Sequence, residues 1–213
     1  MKAAVLYNTN QPLQLRNLSQ DPPRSGEVRL QMGAAGLCGS DRHFVEGTAL
    51  LPLPAVIGHE GAGTVLDVGQ GVNRFKPGDR IILSFVSSCG YCRSCRTGHL
   101  NLCDTHLDLG PLLFDGTVRL HEGDTDIFQM LKLGVFSETV VVPQEACYLI
   151  PNSIPFDVGA LIGCCVTTGV GAVINNPAST PGMTVAVMGC GGVGLNVIQG
   201  ARLLNASRII AVD

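Results

Sequence analysis

Four cysteines fall within fifteen residues, spaced Cys89-x2-Cys92-x2-Cys95-x7-Cys103. Four soft thiolates at this spacing can enclose Zn²⁺ as a closed, tetrahedral structural site. The stretch from Tyr91 to Leu102 carries little apolar mass, so metal bonds would have to supply its folding energy. Ordinary reduced cysteines and an iron–sulfur cluster are the other readings of the same residues; the spacing favours zinc. The chain has 9 cysteines in all. An odd, clustered set argues against the disulfide framework of a secreted domain.

The rest of the composition narrows the class. Hydrophobic residues make up 46% and charged residues 15% of the 213 positions, enough apolar mass for a packed core. The net charge is −3, from 14 basic and 17 acidic residues with no basic run, so neither a nucleic-acid partner nor an anionic membrane is expected. The apolar run from Met1 to Tyr7 is too short for the core of a signal peptide, and a cytoplasmic location is expected. Val158 to Ile174 is apolar or small throughout. Its glycines, its threonines and the lack of cationic flanks favour a buried helix over a membrane span.

The first half reads as short strands with turns. Glu27–Met32 alternates polar and apolar residues, Gly63–Val68 ends in a glycine turn, and Arg80–Leu83 follows the turn Phe75-Lys76-Pro77-Gly78-Asp79. Thr139–Val142 and Cys147–Ile150 add two more. The expectation is a compact antiparallel β domain over residues 1–155, with an irregular lobe from Cys89 to Cys103. From Phe156 the pattern changes. A helix runs to Ile174, broken by a Pro- and Gly-containing stretch at 175–182. A buried-type strand at Thr184–Met188, a Gly-rich turn, a helix from about Val193 to Leu204 and a second strand at Arg208–Val212 make one βαβ unit over residues 156–213.

That Gly-rich turn is Gly189-Cys190-Gly191-Gly192-Val193-Gly194, and Asp213 lies nineteen residues past Gly194, at the end of the second strand. In this strand–turn–helix setting the pattern reads as a dinucleotide fingerprint. The glycines let a pyrophosphate approach backbone N–H groups at a helix N-terminus. Asp213 would bond the adenosine ribose hydroxyls and repel a 2′-phosphate, favouring NAD over NADP.

Other segments complete a pattern. Cys38 lies in Gly36-Leu37-Cys38-Gly39-Ser40-Asp41-Arg42-His43, His59 in Gly58-His59-Glu60-Gly61-Ala62-Gly63, and Cys164 in Gly163-Cys164-Cys165-Val166-Thr167-Thr168-Gly169. Together with the cysteine lobe and the glycine turn, in this order over essentially the whole chain, they resemble the zinc-dependent alcohol dehydrogenases of the medium-chain dehydrogenase/reductase family. The resemblance implies an α/β architecture: a GroES-like, β-rich catalytic domain followed by a Rossmann-type, doubly wound parallel sheet. It also implies two zinc ions. One is structural, on Cys89, Cys92, Cys95 and Cys103. The other is catalytic, held by Cys38, His59 and Cys164 with a fourth position open to water or alcohol. Asp41 is then the carboxylate orienting His59. Glu60 is an acid near the metal or a purely structural carboxylate. Ser40 and His43 match a proton relay, Phe85 a position lining the alcohol pocket, and Val193 and Thr168 positions beside the nicotinamide. Gly39 is a departure, since many relatives carry a basic residue there that contacts the pyrophosphate.

The implied reaction is hydride transfer between an alcohol and NAD, giving an aldehyde or ketone. The span from Leu107 to Gly134 resembles the liver-type and glutathione-dependent formaldehyde branches, so a primary alcohol or S-(hydroxymethyl)glutathione is the expected substrate. A homo-oligomer is expected for the full-length form. A doubly wound sheet typically has about six parallel strands and two are present, so the chain reads as an incomplete copy of a longer enzyme with apolar faces uncovered. A zinc-free quinone reductase is disfavoured by Cys38, His59 and the cysteine lobe. A non-enzymatic, chaperonin-like zinc module is disfavoured by the glycine turn with Asp213.

Overall fold

The computed structural model describes all 213 residues. Two units emerge, Met1–Ala160 and Leu161–Asp213. The first contains strands β1 (Lys2–Leu6), β2 (Gln14–Asn17), β3 (Ser19–Gln20) and β4 (Glu27–Gly36), helix α1 (Gly39–Glu46), then β5 (Ala55–Val56), β6 (Glu60–Val68) and β7 (Arg80–Leu83). The cysteine lobe follows with short helices α2 (Arg93–Arg96) and α3 (Asp104–Leu109). Strands β8 (Leu120–Glu122), β9 (Thr125–Gln129), β10 (Thr139–Pro143) and β11 (Cys147–Leu149) complete the sheets, and α4 (Phe156–Leu161) begins the helical stretch.

These strands form two sheets, ordered β2-β1-β5-β9-β8-β3 and β10-β4-β6-β7-β11. The pairings are antiparallel except β5 with β9, which run parallel. Apolar residues on alternate positions face inward. Val28, Leu30, Val65, Ile81, Leu83, Val140 and Val142 build one core, and Ala3, Val5, Leu18, Val56, Leu120 and Ile127 a second. Each fully buried Val, Leu or Ile contributes roughly 1.5–3 kcal/mol relative to exposure. The lobe from Cys89 to Cys103 carries more structure than an irregular loop: α2, a 3₁₀ turn at Leu100–Leu102 and the start of α3 are wound around its cysteines.

A charged side chain is also sealed in this unit. Arg119 is 0% exposed. Its guanidinium forks onto Glu27 at 2.9 and 2.6 Å, reaches Asp115 at 2.6 Å and donates to the Val118 carbonyl at 2.7 Å. The planar fork matches carboxylate geometry, which lets the charge be buried. Burial would raise the Asp115 carboxyl, but hydrogen bonds from Thr117 and Arg119 outweigh it and bring it down to about 2.

The second unit continues the helical run through a π-helical turn at Ile162–Val166 into α5 (Thr167–Ile174), then β12 (Thr184–Met188), α6 (Gly192–Leu203) and β13 (Arg208–Val212). Strands β12 and β13 pair in parallel, Thr184 opposite Arg208 through Met188 opposite Val212. Helices α5 and α6 pack closely because Gly169 has no side chain: a Cβ there would sit 2.5 Å from the Val193 carbonyl oxygen. Met188, Ile210 and Val212 on the strands and Leu195 and Leu203 on α6 are exposed, so this βαβ unit leaves apolar surface uncovered. The run Phe156–Ile174 is the one helix long and apolar enough to cross a membrane, by length and composition only.

Candidate functional site

Helix α1 organises the first cluster. Cys38 is extended at its N-cap position, and its backbone N–H donates to Asp41 Oδ2 at 2.8 Å. The other oxygen, Oδ1, lies 3.1 Å from His59 Nδ1. Asp41 and His59 are 4% and 1% exposed, so solvent does not compete for this bond. His59 is placed by Gly58, whose backbone sits at φ 93, where any side chain is strained and would also strike Phe136. With Nδ1–H donating to Asp41, Nε2 carries the lone pair, the tautomer a metal ligand needs. Burial alone would lower the His59 pKa; the hydrogen bond and charge of Asp41, helped by Cys38, outweigh it and raise it. The ring of Phe85 meets the imidazole edge-on at 5.5 Å between centroids. Glu60, 1% exposed, joins this cluster: the donor atoms of Cys38, His59 and Glu60 lie within 4.8 Å of one another. A thiolate, an imidazole and a carboxylate in that space form a donor set suited to Zn²⁺. Cys164 belongs to the second unit, buried on the π-helical turn beside Cys165. The Cys165 thiol donates to the Leu161 carbonyl at 3.5 Å and accepts from Asn196 Nδ2 at 3.8 Å.

Ser40 and His43 lie on α1 and are exposed. Thr48, which no motif in the sequence marks, orients the imidazole. Its hydroxyl donates to the His43 carbonyl at 3.2 Å and lies 3.1 Å from His43 Nδ1. The hydroxyl has one proton for these two acceptors; spent on the carbonyl, it leaves the oxygen to accept from Nδ1–H, with Nε2 then open to a proton. Ser40, His43, Thr48, Phe44, Met130 and Leu131 line an open groove of about 520 Å³.

The second cluster is the cysteine lobe. All four sulfurs lie within 4.8 Å of one another, and Cys92 Sγ is 4.0 Å from Cys103 Sγ. Tetrahedral bonds to zinc would set sulfurs roughly 3.8 Å apart, so the lobe matches that ion in size. Backbone N–H groups point at the sulfurs: Cys92 onto Cys89 at 3.3 Å, Cys89 onto Cys103 at 3.3 Å and His106 onto Cys103 at 3.4 Å. Burial raises the Cys89 thiol, but hydrogen bonds from the Thr105 hydroxyl and the Tyr91 and Cys92 backbone bring it down to about 6. Burial, with Cys92 and Cys103 alongside, pushes Cys95 up to about 12. The protein's own dipoles favour ionising some of these thiols and not all together; a divalent cation at their centre removes that conflict. No disulfide joins the cysteines.

The glycine turn forms the third cluster, inside the second unit. Gly189 adopts φ 91 and Gly191 precedes α6 in extended conformation. A Cβ on either would meet nothing within 4 Å, so the turn presents bare backbone to the groove of about 450 Å³ lined by Gly189, Gly191, Gly192, Val193 and Gly194. Gly194 is required for packing, since its Cβ would lie 1.8 Å from the Gly189 carbonyl oxygen. The helix N-terminus, with no side-chain cap, suits an anionic phosphate. Asp213 Oδ1 accepts the Cys190 N–H at 3.1 Å and so also braces the turn, a role its spacing does not reveal. Thr168 lies exposed on α5.

Comparison with known proteins follows this geometry. Residues 24–152 match the alcohol dehydrogenase GroES-like domain family. The chain is 43% identical, over all of its length, to an NDMA-dependent alcohol dehydrogenase of Amycolatopsis methanolica, of which it covers 57%. It is 41% identical to alcohol dehydrogenase B of Mycobacterium tuberculosis, again covering 57%. Among solved structures, a zinc-binding-domain alcohol dehydrogenase from Burkholderia ambifaria superposes with a TM-score of 0.92 at 33% identity, with all of this chain and 58% of that one covered. Benzyl alcohol dehydrogenase from Acinetobacter calcoaceticus does so at 0.90 and 29%, with the same coverage. The chain thus spans little more than half the length of these relatives, and with the family match extending over most of it, the protein belongs to the alcohol dehydrogenase GroES-like family.

Proposed function

We propose that this chain carries the catalytic domain and the opening of the cofactor domain of a zinc-dependent, NAD-linked alcohol dehydrogenase. The observation that carries the reading is the Cys38–Asp41–His59 arrangement beside Phe85. There, one buried carboxylate fixes the backbone of a thiolate ligand and the tautomer of an imidazole ligand. Cys38 and His59 would hold the catalytic zinc, with Cys164 as third ligand by the family resemblance. Cys89, Cys92, Cys95 and Cys103 would hold a structural one. Zinc in an open site supplies Lewis acidity that lowers the pKa of an alcohol hydroxyl, and NAD supplies the hydride acceptor.

The chain's own residues do the rest. Asp41 keeps the His59 lone pair on Nε2. By the family resemblance, Ser40 Oγ would accept the substrate hydroxyl proton while giving up its own through the cofactor ribose to His43, whose exposed imidazole would release a proton to solvent. The Gly189–Gly194 turn and the α6 N-terminus would receive the pyrophosphate. The beginning of a Rossmann-type sheet is β12–α6–β13, and Asp213 at its edge favours the ribose hydroxyls of NAD over a 2′-phosphate. Phe44, Met130 and Leu131 around Ser40 and His43 favour an apolar primary alcohol over S-(hydroxymethyl)glutathione. A cytoplasmic location and a homo-oligomeric full-length enzyme, without nucleic-acid or membrane partners, complete the proposal.

Cobalt(II) loaded in place of zinc reports its coordination through visible absorption. Benzyl alcohol shifts those bands if one metal keeps an open position, and Cys38→Ser abolishes the shift. A protein that binds two metals yet shows no alcohol-dependent shift contradicts the reading. Nicotinamide reduction with NAD in preference to NADP is the matching test of the cofactor assignment.

A further inference from the structure

Lys132 is 0% exposed, in a chain where every other lysine reaches solvent. Its ammonium donates to two backbone carbonyls at the C-terminal end of α3, His106 at 3.0 Å and Gly110 at 2.5 Å. It also lies 5.8 Å from the centre of the Phe114 ring. Helix α3 is capped at its start by Cys103, whose sulfur accepts the His106 N–H at 3.4 Å. One short helix therefore has a candidate metal ligand at its first end and a buried ammonium at its last. Carbonyls at a helix C-terminus lack intrahelical donors and carry partial negative charge, so a cation there is favoured. Burial pulls the ammonium down to about 8, with the Cys103 charge acting in the opposite sense.

The backbone at the other end of this tie is unusual. Leu131 and Lys132 are consecutive non-glycine residues at φ 51 and φ 64, the left-handed region that L-residues avoid. Such a pair persists only where surrounding contacts over-determine it. The Lys132 hydrogen bonds are such contacts. What the strained pair positions is Leu131, which lines the groove beside Ser40 and His43 and also a neighbouring cavity of about 150 Å³ with Phe44, Leu51 and Leu107.

We propose that Lys132 is a positioning residue that couples the cysteine lobe to the wall of the groove beside Ser40 and His43, through α3 on one side and the left-handed Leu131 on the other. The metal of the lobe then sets the shape of the groove although none of its ligands lines it. The proposal rests on the zinc reading of the four cysteines.

The test uses methyl NMR of leucine-labelled protein, with Zn²⁺ as the probe. Removing zinc from the lobe with a chelator shifts the Leu131 methyl resonances in the wild type. In Lys132→Met, which keeps the side chain's bulk and deletes its donors, Leu131 starts from an altered position and no longer responds. Lys132→Gly deletes the tie and relieves the left-handed strain, and it also loses the response. A wild type whose lobe holds no zinc overturns the zinc reading, and the coupling with it. A lobe that holds zinc while Leu131 stays silent on its removal overturns the coupling alone, and this arm needs no variant. An equal Leu131 response in wild type and Lys132→Met does the same.

Discussion

Replacing Asp41 by Asn tests the first metal cluster at the residue that organises it. One Asp41 oxygen accepts the Cys38 N–H at 2.8 Å and the other faces His59 Nδ1 at 3.1 Å. An asparagine can serve one of these partners as the aspartate did. If its oxygen stays on Cys38, its amide N–H groups face the imidazole, and His59 must accept at Nδ1. The ring proton then moves to Nε2, and the nitrogen that faces the cluster can no longer bind a metal. Outer-sphere partners of this kind typically change metal affinity by roughly 10–100-fold, about 1.4–2.7 kcal/mol. Because both side chains are nearly sealed from solvent, with exposures of 4% and 1%, the upper part of that range is expected. The assay is competition with a chelator of known zinc affinity, which resolves two classes of bound ion. Asp41→Asn weakens one class by about 100-fold and leaves the cysteine-lobe class unchanged. Unaltered affinity of both classes would refute the tautomer argument.

Three further changes are expected. Arg119→Met leaves Glu27 buried without its partner and lowers unfolding stability by roughly 3–5 kcal/mol in a denaturant titration; a loss under about 1 kcal/mol would mean the fork is not what permits that burial. Asp115 has a folded pKa of about 2 against an ordinary 3.8, so its stabilising effect is present above pH 3.8 and is lost as pH falls towards 2. Asp115→Asn lowers stability at neutral pH and flattens the acid limb of the stability curve in that window; a parallel downward shift of the whole curve would contradict the assignment. Gly194→Ala forces a Cβ to within 1.8 Å of the Gly189 carbonyl oxygen and opens the turn, so NAD binding measured by calorimetry weakens at least tenfold; unchanged binding would exclude the turn as the pyrophosphate site.

Parts of this molecule were legible because their residues have no alternative use. The four cysteines within fifteen residues marked the lobe, and the apolar runs Val185–Met188 and Ile209–Val212 marked the parallel pair. Strands of two or three residues such as β3, β5 and β8 are too short to show a period and were not readable. Helix α1 hid for another reason. Its only apolar residues are Phe44 and Val45, too few to make a helical stripe, although it carries Ser40, Asp41 and His43. The π-helical turn at Ile162–Val166 was not legible, because a stretch that is apolar or small throughout shows no period from which a change of helical pitch could be read. Arg119 and Lys132 look like surface charges in sequence. Burial of each depends on acceptors distant in the chain, Glu27 for one and the α3 carbonyls for the other. Thr48 acts only through its hydroxyl, which leaves no pattern at all.

The account stands on two separate zinc centres, one closed by four thiolates and one left open. Elemental analysis of the purified protein measures this directly. Two zinc ions per chain are predicted, falling to one in Cys95→Ser and, independently, to one in His59→Ala. A wild type with one ion or none, or a His59→Ala protein that still holds two, would contradict it.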